Sequence, residues 1–364
     1  MKKIGYVFLL FIAFTSCKRS PAEINADPKE NTSVVWNEEN AGQVSEIAED
    51  IKYIMLEAHP DALFNSEAIT KILFKNDKIL VFEKRGANAV FMYDIHGKFE
   101  RRIGTRGGGP AEYTMLMGFA ADDHFIYLFD TRTKRVLSYD YSGNYIKTLK
   151  LPVYSEDAAI LENGDFLWAN LWYLNEDGAK YRIALTDDQL NVKQELFKIN
   201  DSDSKLTLSY YFGVSENNIT YQNYVQDTLI VFNKKTGDYK TIYFEFPNKV
   251  PYEMRAEAAK LKGNYQYLSH IPALLIGKYV TGVVTGRPFI LNIATGKIYF
   301  NDKGGLFGVP MAEYKGYVVA PLTSRAYQYH LKNGTILPLS DEYHRFFMAD
   351  DDNVGLILYK LKQK

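Results

Sequence analysis

Five arginines stand in segments that read as turns, where their side chains could recognise an anion. They are Arg85, Arg106, Arg132, Arg287 and Arg325. A guanidinium group can donate two parallel hydrogen bonds to a carboxylate, phosphate or sulfate, so several arginines on one surface would bind an acidic ligand. Each arginine could instead pair with a local acid such as Glu83 or Asp130 and stabilise only its own turn. The sequence keeps both interpretations open.

A glycine-rich segment is the second place where chemistry could occur. It reads Arg-Gly-Gly-Gly-Pro-Ala-Glu-Tyr from Arg106 to Tyr113. Consecutive backbone N–H groups in such a loop can surround an anion. A P-loop, however, needs Gly-Lys-Ser or Gly-Lys-Thr at the start of a helix, and Pro-Ala-Glu follows the glycines here. The alternative is a tight crossing between two structural units, in which Glu112 accepts backbone hydrogen bonds and Tyr113 packs.

Aromatic residues make up 15% of the chain, and most of them are expected in the core. Trp172 and Tyr173, close to Trp168, stand in a long loop that we predict from Asn170 to Lys180. A loop of this kind could present the rings as a stacking platform for a sugar. Trp172 and Tyr173 are therefore further candidates for ligand binding.

The sequence lacks the motifs of the common hydrolases and metal centres. No Gly-x-Ser-x-Gly or His-Glu-x-x-His segment occurs, the six histidines fall at unrelated places in the chain, and there is one cysteine. We therefore expect neither a metal site nor a cofactor. The 43 basic and 44 acidic side chains nearly balance, which argues against nucleic acid as a partner, because such binding needs clustered positive charge.

The elements that must position these residues repeat along the chain. Residues 89–97 and 135–143 align without a gap at an offset of 46, and both end in Tyr-Asp-x-x-Gly. Matching Asp or Asn residues follow at 187, 233 and 292, so the spacings are 46, 47, 46 and 59. The last spacing exceeds 46 by 13 residues, and the 13 residues 251–263 read as an inserted helix, with Pro in the first turn and Gly at the end.

Each unit contains β-branched and aromatic runs between turn residues, which predict short strands. Units of this length with four short strands each are typical of a β-propeller. We predict an all-β fold, a six-bladed β-propeller, with blades near 69–104, 117–152, 157–199, 211–247 and 268–302 and a sixth that begins near Gly308. Residues 51–57 are expected to supply the outer strand of the last blade and so close the ring.

The N-terminus predicts export. Residues 1–16 have the charged start and the short apolar run of a secretory signal, and the run is too short to span a membrane. Phe14-Thr15-Ser16-Cys17 resembles the lipobox of bacterial lipoproteins, in which the cysteine thiol is acylated. A plain secretory signal is the alternative. Residues 17–42 are polar and are predicted to form a flexible tether, which leaves residues 43–364 for the propeller.

The chain resembles a family of six-bladed β-propeller lipoproteins of Gram-negative anaerobes, which is related in shape to NHL-repeat and TolB-type propellers. The resemblance rests on Cys17, on residues 102–113 and on the terminal residues 353–362. The family pattern is close to Gly-x-Gly-Pro-Gly-Glu-Tyr, and Ala111 replaces its last glycine. The resemblance implies the fold, but most members have no assigned activity, and a fold does not define a function.

These observations predict a monomeric, non-enzymatic protein that is anchored in the outer membrane through the lipid on Cys17. We favour the periplasmic side, because the basic residues Lys18 and Arg19 follow the cysteine. The protein would bind an acidic glycan or a protein partner on the loop-rich face of the propeller. Two alternatives stay open: a glycan lyase or hydrolase with its site at the channel mouth, and a structural subunit of an outer-membrane complex.

Overall fold

The computed structural model describes residues 22–23, 31–63, 65–171, 181–199, 212–222, 225–255, 263–269, 271–301, 308–334, 336 and 338–363. These residues build six antiparallel sheets, or blades, around a central channel. The predicted all-β, six-bladed propeller is therefore confirmed. The first strand of each blade lies at the channel, and the fourth lies towards the outer circumference, which we call the rim.

The blades contain the following strands, given from the channel outward. Blade 1 has Ile69–Lys75, Lys78–Glu83, Ala89–Asp94 and Phe99–Ile103, and blade 2 has Leu116–Ala121, Phe125–Asp130, Arg135–Asp140 and Tyr145–Lys150. Blade 3 has Ser155–Ile160, Phe166–Asn170, Tyr181–Thr186 and Val192–Lys198, and blade 4 has Gly213–Val214, Asn218–Gln222, Thr228–Asn233 and Tyr239–Glu245. Blade 5 has Leu274–Ile276, Tyr279–Val284, Arg287–Asn292 and Ile298–Phe300, and blade 6 has Ala312–Tyr314, Tyr317–Thr323, Val354–Leu361 and Ala48–Met55.

The two ends of the chain meet in blade 6 and close the ring. Ala48–Met55 pairs antiparallel with Val354–Leu361, so an N-terminal strand completes a blade whose other three strands are C-terminal. This confirms the closure predicted from residues 51–57. A closed ring gives every blade a neighbour on both faces, so no blade exposes a whole face of its sheet.

The N-terminal segment continues along the rim before it reaches blade 6. Ala22–Glu23, Asn31–Val35 and Gly42–Gln43 pair in parallel with the fourth strands of blades 3, 4 and 5, respectively. We call these three strands the belt. The predicted tether over residues 17–42 therefore extends too far, since residues 31–42 belong to the propeller. Trp36, which is 1% exposed between blades 4 and 5, supplies the apolar contact that holds this polar segment in place.

The helices are short and lie between strands. Val44–Ile47 precedes the closing strand, and Ser324–Lys332 and Asp341–Ala349 stand between the second and third strands of blade 6. Further short elements are the 3-10 turns Pro60–Ala62 and Ser66–Ala68 and the paired strands Thr105–Arg106 and Glu112–Tyr113. In the predicted helix 251–263, residues 252–255 form a 3-10 turn, and residues 256–262 lie outside the described residues.

The repeated Asp or Asn residue closes the turn between the third and fourth strands of blades 1 to 5. Asp94 Oδ1 accepts hydrogen bonds from the backbone N–H groups two and four residues further on, both at 2.9 Å. Asp140, Asp187, Asn233 and Asn292 accept from the N–H groups that follow them in the same manner. A short side-chain acceptor is favoured here because it binds N–H groups that the strands leave without partners. The Asp or Asn residue therefore recurs about every 46 residues because each of these turns needs a side-chain acceptor.

The hydrophobic core is divided among the interfaces between neighbouring blades. Phe82 of blade 1 meets Phe119 of blade 2 with their ring centroids 6.1 Å apart, and Phe129 of blade 2 meets Trp168 of blade 3 at 4.9 Å. Trp168 is fully buried and donates its indole N–H to Thr186 Oγ1 at 3.0 Å. Its ring is therefore part of the core and is not available as a sugar platform.

Gly118 allows the inner strands of blades 2 and 3 to approach closely. A Cβ atom at this position would lie 2.0 Å from the backbone oxygen of Glu156. We expect Gly118→Ala to lower the free energy of unfolding by about 3 kcal/mol, because two backbones would have to separate. Urea unfolding followed by circular dichroism measures this loss. Gly108→Ala is the control, since no heavy atom lies within 4 Å of its added Cβ, and equal midpoints for both variants would contradict the prediction.

Candidate functional site

The two faces of the propeller carry different turns. The turns between the first and second strands surround one mouth of the channel, and we call this side the cavity face. The turns between the second and third strands and the crossings between blades lie on the other side, the crossing face. The Asn88 side chain illustrates this second grouping, because it exchanges hydrogen bonds of 2.8 Å with the backbone N–H and C=O of Leu116 in the next blade.

A cavity of about 760 Å³ opens at the mouth on the cavity face. This volume lies within the range of small-molecule sites. Its base is formed by small and aliphatic residues of the inner strands: Leu73, Ala120, Ala121, Ala158, Ala159, Ile160 and Val214. Its charged mouth is formed by the turns and the positions next to them: Lys75, Asp122, Asp123, His124, Glu162, Glu216, Lys234, Glu313 and Lys315. Blades 1, 2, 3, 4 and 6 therefore contribute to one site.

Inside the channel, Lys71 of blade 1 reaches across to Asp157 of blade 3. Its ammonium group lies 2.6 Å from Asp157 Oδ1 and also donates to the backbone oxygens of Phe119 and Ala158 at 2.9 and 3.2 Å. Asp157 Oδ2 accepts from the backbone N–H of Phe212 at 2.9 Å. Burial raises the pKa of the Asp157 carboxyl, and the adjacent ammonium opposes that rise. The pair joins the walls of the channel beneath the cavity.

The lysines at the mouth have different partners. Lys75 lies 2.8 Å from Asp123, and this hydrogen bond lowers the pKa of Asp123. Lys315 lies 3.3 Å from Asp77, and it lowers the pKa of that carboxyl in the same way. Lys234 donates to a backbone oxygen at 3.3 Å, and burial, followed by the nearby Lys75 charge, lowers its pKa. Burial therefore disfavours the charged form of Lys234.

Two carboxylates at the mouth accept hydrogen bonds from backbone N–H groups. Glu313 of blade 6 accepts from the N–H of Gly316 at 2.8 Å and from the N–H of Glu216 in blade 4, so it links two blades across the channel. Asp122 accepts from two N–H groups of its own turn, both at 2.7 Å, and from the hydroxyl of Tyr127. These bonds fix the mouth in shape before any ligand enters.

Acidic groups exceed basic groups around the cavity. The lining contains four lysines and five carboxylates. Two of the four, Lys71 and Lys315, are neutralised by Asp157 and Asp77, which do not line the cavity. The electrostatic field of the remaining charged groups is negative. A cavity with a negative field favours neutral polar or cationic ligands and repels anions.

The five predicted arginines lie on the crossing face or at its edge, and their side chains are exposed. Arg287 pairs with Glu38 at 3.1 Å and stacks on the ring of Phe300 at 3.3 Å, towards the rim of its own blade. Arg325 pairs with Asp352 at 3.1 Å and with Glu67 at 3.6 Å. No arginine is among the described residues that line the cavity. The arginines are therefore not brought together around it.

The remaining arginines stand beside turns that other groups stabilise. Arg106 Nε donates to the backbone oxygen of Thr114 at 3.2 Å. Near Arg85, Glu83 accepts backbone N–H groups of its turn, including that of Arg85 at 2.7 Å. Near Arg132, Asp130 accepts from the backbone of Thr114 at 2.7 Å and from Thr133 at 3.3 Å. Glu83 and Asp130 therefore stabilise these turns by accepting hydrogen bonds from the backbone. Asp130 also lies 3.5 Å from Arg135.

The glycine-rich segment forms the tight crossing between two blades that was the alternative to an anion site. Glu112 accepts from the backbone N–H of Gly109 at 2.8 Å, which closes the loop on itself. Tyr113 is fully buried between blades 1 and 2, and its hydroxyl accepts from Arg102 Nε at 3.2 Å. Cys17, Trp172 and Tyr173 lie outside the described residues, so their predicted roles stay predictions.

The sequence did contain a signal for the cavity that the arginine pattern obscured. Charged residues recur in or beside the turn between the first and second strands of several units, as in Lys75-Asn76-Asp77, Asp122-Asp123-His124 and Glu313-Tyr314-Lys315. In the ring, these turns converge on one mouth. Within the described part of the chain, no group of three or more His, Cys, Asp or Glu side chains is arranged to hold a metal ion. Among the same residues, no helix combines the length and apolar character needed to cross a bilayer.

Six antiparallel sheets arranged in a closed ring define this chain as a six-bladed β-propeller. Residues 31–359 match the family described as "Domain of unknown function (DUF4934)", and the chain belongs to this family. A Bacteroides fragilis protein whose description is that of an exported protein has a similar structure, with a TM-score of 0.70, 17% identity, and coverage of 92% of this chain and 100% of that one. A member of the DUF4221 family from Bacteroides vulgatus has a TM-score of 0.49 at 12% identity and covers 87% of this chain and 98% of its own. No curated protein matches the chain.

Proposed function

We propose that this protein is a non-enzymatic binding protein of the cell envelope, anchored in the outer membrane through an acylated Cys17 and facing the periplasm. The lipobox-like sequence supports the anchor, and the exported description of the Bacteroides fragilis protein supports the compartment. The observation that carries the binding role is the cavity of about 760 Å³ with a prearranged polar mouth. Its ligand enters from the cavity face, opposite to the face that the arginines occupy.

The charge of the mouth supports a neutral or cationic sugar as the ligand. Glu162 and Glu216 are exposed acids on the mouth, and Lys75 already pairs with Asp123. Hydroxyl and amino groups of an oligosaccharide would donate to such carboxylates, while the apolar base would contact ring carbons. An acidic glycan would meet the excess of carboxylates and would fit the crossing face with its arginines better.

Thermal unfolding with three oligosaccharide probes tests this proposal. The probes are maltoheptaose (neutral), chitosan oligosaccharides (cationic) and hyaluronan oligosaccharides (acidic). A ligand at 100 times its dissociation constant stabilises the protein by about 2.7 kcal/mol. We expect stabilisation by the neutral or cationic probe, and Glu162→Gln combined with Glu216→Gln should raise the dissociation constant at least fivefold.

The control variant is Arg132→Ala on the crossing face, which should leave this binding unchanged. Stabilisation by hyaluronan alone, lost in Arg132→Ala, would move the site to the crossing face. No stabilisation by any probe would reject oligosaccharides as ligands and favour a protein partner.

A glycan-active enzyme is the second candidate, and Lys234 is the observation that favours it. An ammonium group whose pKa is lowered by burial, next to carboxylates in a cavity, has the properties of a general base. The same incubations, followed by mass analysis of the probes, distinguish the two roles. Cleavage that Lys234→Met abolishes would establish catalysis, and intact probes after binding would support the non-enzymatic role.

A further inference from the structure

The belt leaves one sector of the rim uncovered. Among the described residues, strands of the belt pair with the rims of blades 3, 4 and 5, and Ala48–Met55 completes the rim of blade 6. No described strand pairs with the outer edges of Phe99–Ile103 in blade 1 or Tyr145–Lys150 in blade 2. On blade 1, the segment that follows the closing strand contacts the start of the outermost strand, where Glu57 accepts from the Phe99 N–H at 2.8 Å. Uncovered edges of this kind need a partner or charges that discourage pairing.

The spacing of the belt strands explains why the belt ends at blade 3. Its strands begin at residues 22, 31 and 42, so the chain advances by about ten residues for each blade. A strand on the rim of blade 2 would fall near residue 12, inside the predicted signal of residues 1–16. Removal of that signal would leave a chain that begins beside the uncovered sector.

The uncovered sector differs in charge from the rest of the rim. Its two strands contain Arg101, Arg102, Lys147 and Lys150 against Glu100, a formal charge of +3. The outermost strands of blades 4, 5 and 6 together contain Glu49, Asp50 and Lys52, a formal charge of −1. Exposed apolar groups accompany the positive charge, since Tyr145 and Ile146 are 38% and 43% exposed. Aromatic, aliphatic and basic side chains together suit the interface of an anionic bilayer.

We propose that the rim of blades 1 and 2 rests on the anionic surface of the membrane. This inference rests on the proposed acylation of Cys17. Four residues separate Cys17 from Ala22, and the five residue steps between them span at most about 18 Å when extended. The lipid would therefore hold the rim of blade 3, next to blade 2, close to the bilayer. The propeller stands on its edge, and both mouths of the channel open sideways into the solvent.

Lysine labelling of the acylated full protein on vesicles tests this orientation. The protein is reconstituted in vesicles of phosphatidylcholine alone or with 30% phosphatidylglycerol and labelled briefly with a soluble amine-reactive ester. We expect labelling of Lys147 and Lys150 to be at least fivefold slower on the anionic vesicles. Lys52 and Lys360, on blade 6, serve as references in the same sample and should react equally on both. Salt at 0.5 M should remove the difference, because it screens exposed charges.

A matched pair of variants separates this surface from general hydrophobic contact. Ile146 and Ile51 are 43% and 44% exposed on the outermost strands of blades 2 and 6, which blade 1 separates. Ile146→Ser should raise the rate of Lys150 labelling on anionic vesicles at least threefold. Ile51→Ser should leave that rate unchanged. Equal effects of the two variants would overturn the proposal.

Other outcomes identify what failed. The mass of the N-terminal peptide shows whether Cys17 is acylated. If it is acylated and the lysines label equally on both kinds of vesicle, the proposed orientation is wrong and the anchor stands. Protection that rises with protein concentration on either lipid would assign the rim to a second copy of the chain. A protein that is not acylated and does not sediment with anionic vesicles would overturn both the anchor and the orientation.

Discussion

Replacing Trp36 with alanine is expected to lower the free energy of unfolding by about 4 kcal/mol, because it removes the largest apolar contact of the belt. The indole is 1% exposed and lies edge-on to Phe246 and Phe289, with ring centroids 5.3 and 4.9 Å apart. Phe246 follows blade 4 and Phe289 belongs to blade 5, so one side chain fills the space between two blades. Urea unfolding followed by circular dichroism measures the loss.

Val35 provides the matched control, because it precedes Trp36 in the chain and is 62% exposed. Val35→Ala should change the free energy of unfolding by no more than about 0.5 kcal/mol, as exposed substitutions usually do. If Trp36→Ala is as stable as Val35→Ala, the belt does not contribute to the fold, and the region preceding the propeller is a tether after all.

Trp36 also shows where the sequence analysis was limited. The ring closure and the blade boundaries could be predicted because each blade repeats a local requirement, such as the turn that Asp94 and its equivalents close. The belt has no such signature. Asn31–Val35 is short and largely polar, and its strand forms because the rim of blade 4, more than two hundred residues away, offers it a backbone edge. Composition alone favoured a flexible segment.

The candidate site was missed for a related reason. The type of side chain at each turn is visible in the sequence, but convergence depends on which mouth of the channel the turns surround. The sequence shows the type of side chain at Arg287, but only the structure shows that Glu38, 249 residues earlier in the chain, lies beside it at 3.1 Å. Lys234 attracts no attention in the sequence, and only the ring brings it together with Lys75 of blade 1 around one cavity.

Lys71→Met is expected to lower the free energy of unfolding at pH 7 by about 3 to 5 kcal/mol, since it leaves the buried Asp157 carboxylate without its counter-charge. The Asp157 side chain is fully buried, and the Lys71 side chain is 7% exposed. Lys75→Met is the control from the same strand, because its partner Asp123 is 72% exposed. Breaking such a solvated pair should cost less than about 1 kcal/mol.

The effect of pH follows from the direction of the Asp157 shift. Burial raises its pKa in the folded protein above the unfolded value, so the folded state binds a proton more readily in the interval between the two values. Protonation removes the unpaired charge, and the deficit of Lys71→Met should therefore shrink as the pH falls through that interval and be largest above it. Lys71→Met with Asp157→Asn should be more stable at pH 7 than Lys71→Met alone, because the amide is neutral and can still accept from the Phe212 N–H. Equal losses for Lys71→Met and Lys75→Met, without dependence on pH, would mean that water reaches Asp157 and that the channel is open beneath the cavity.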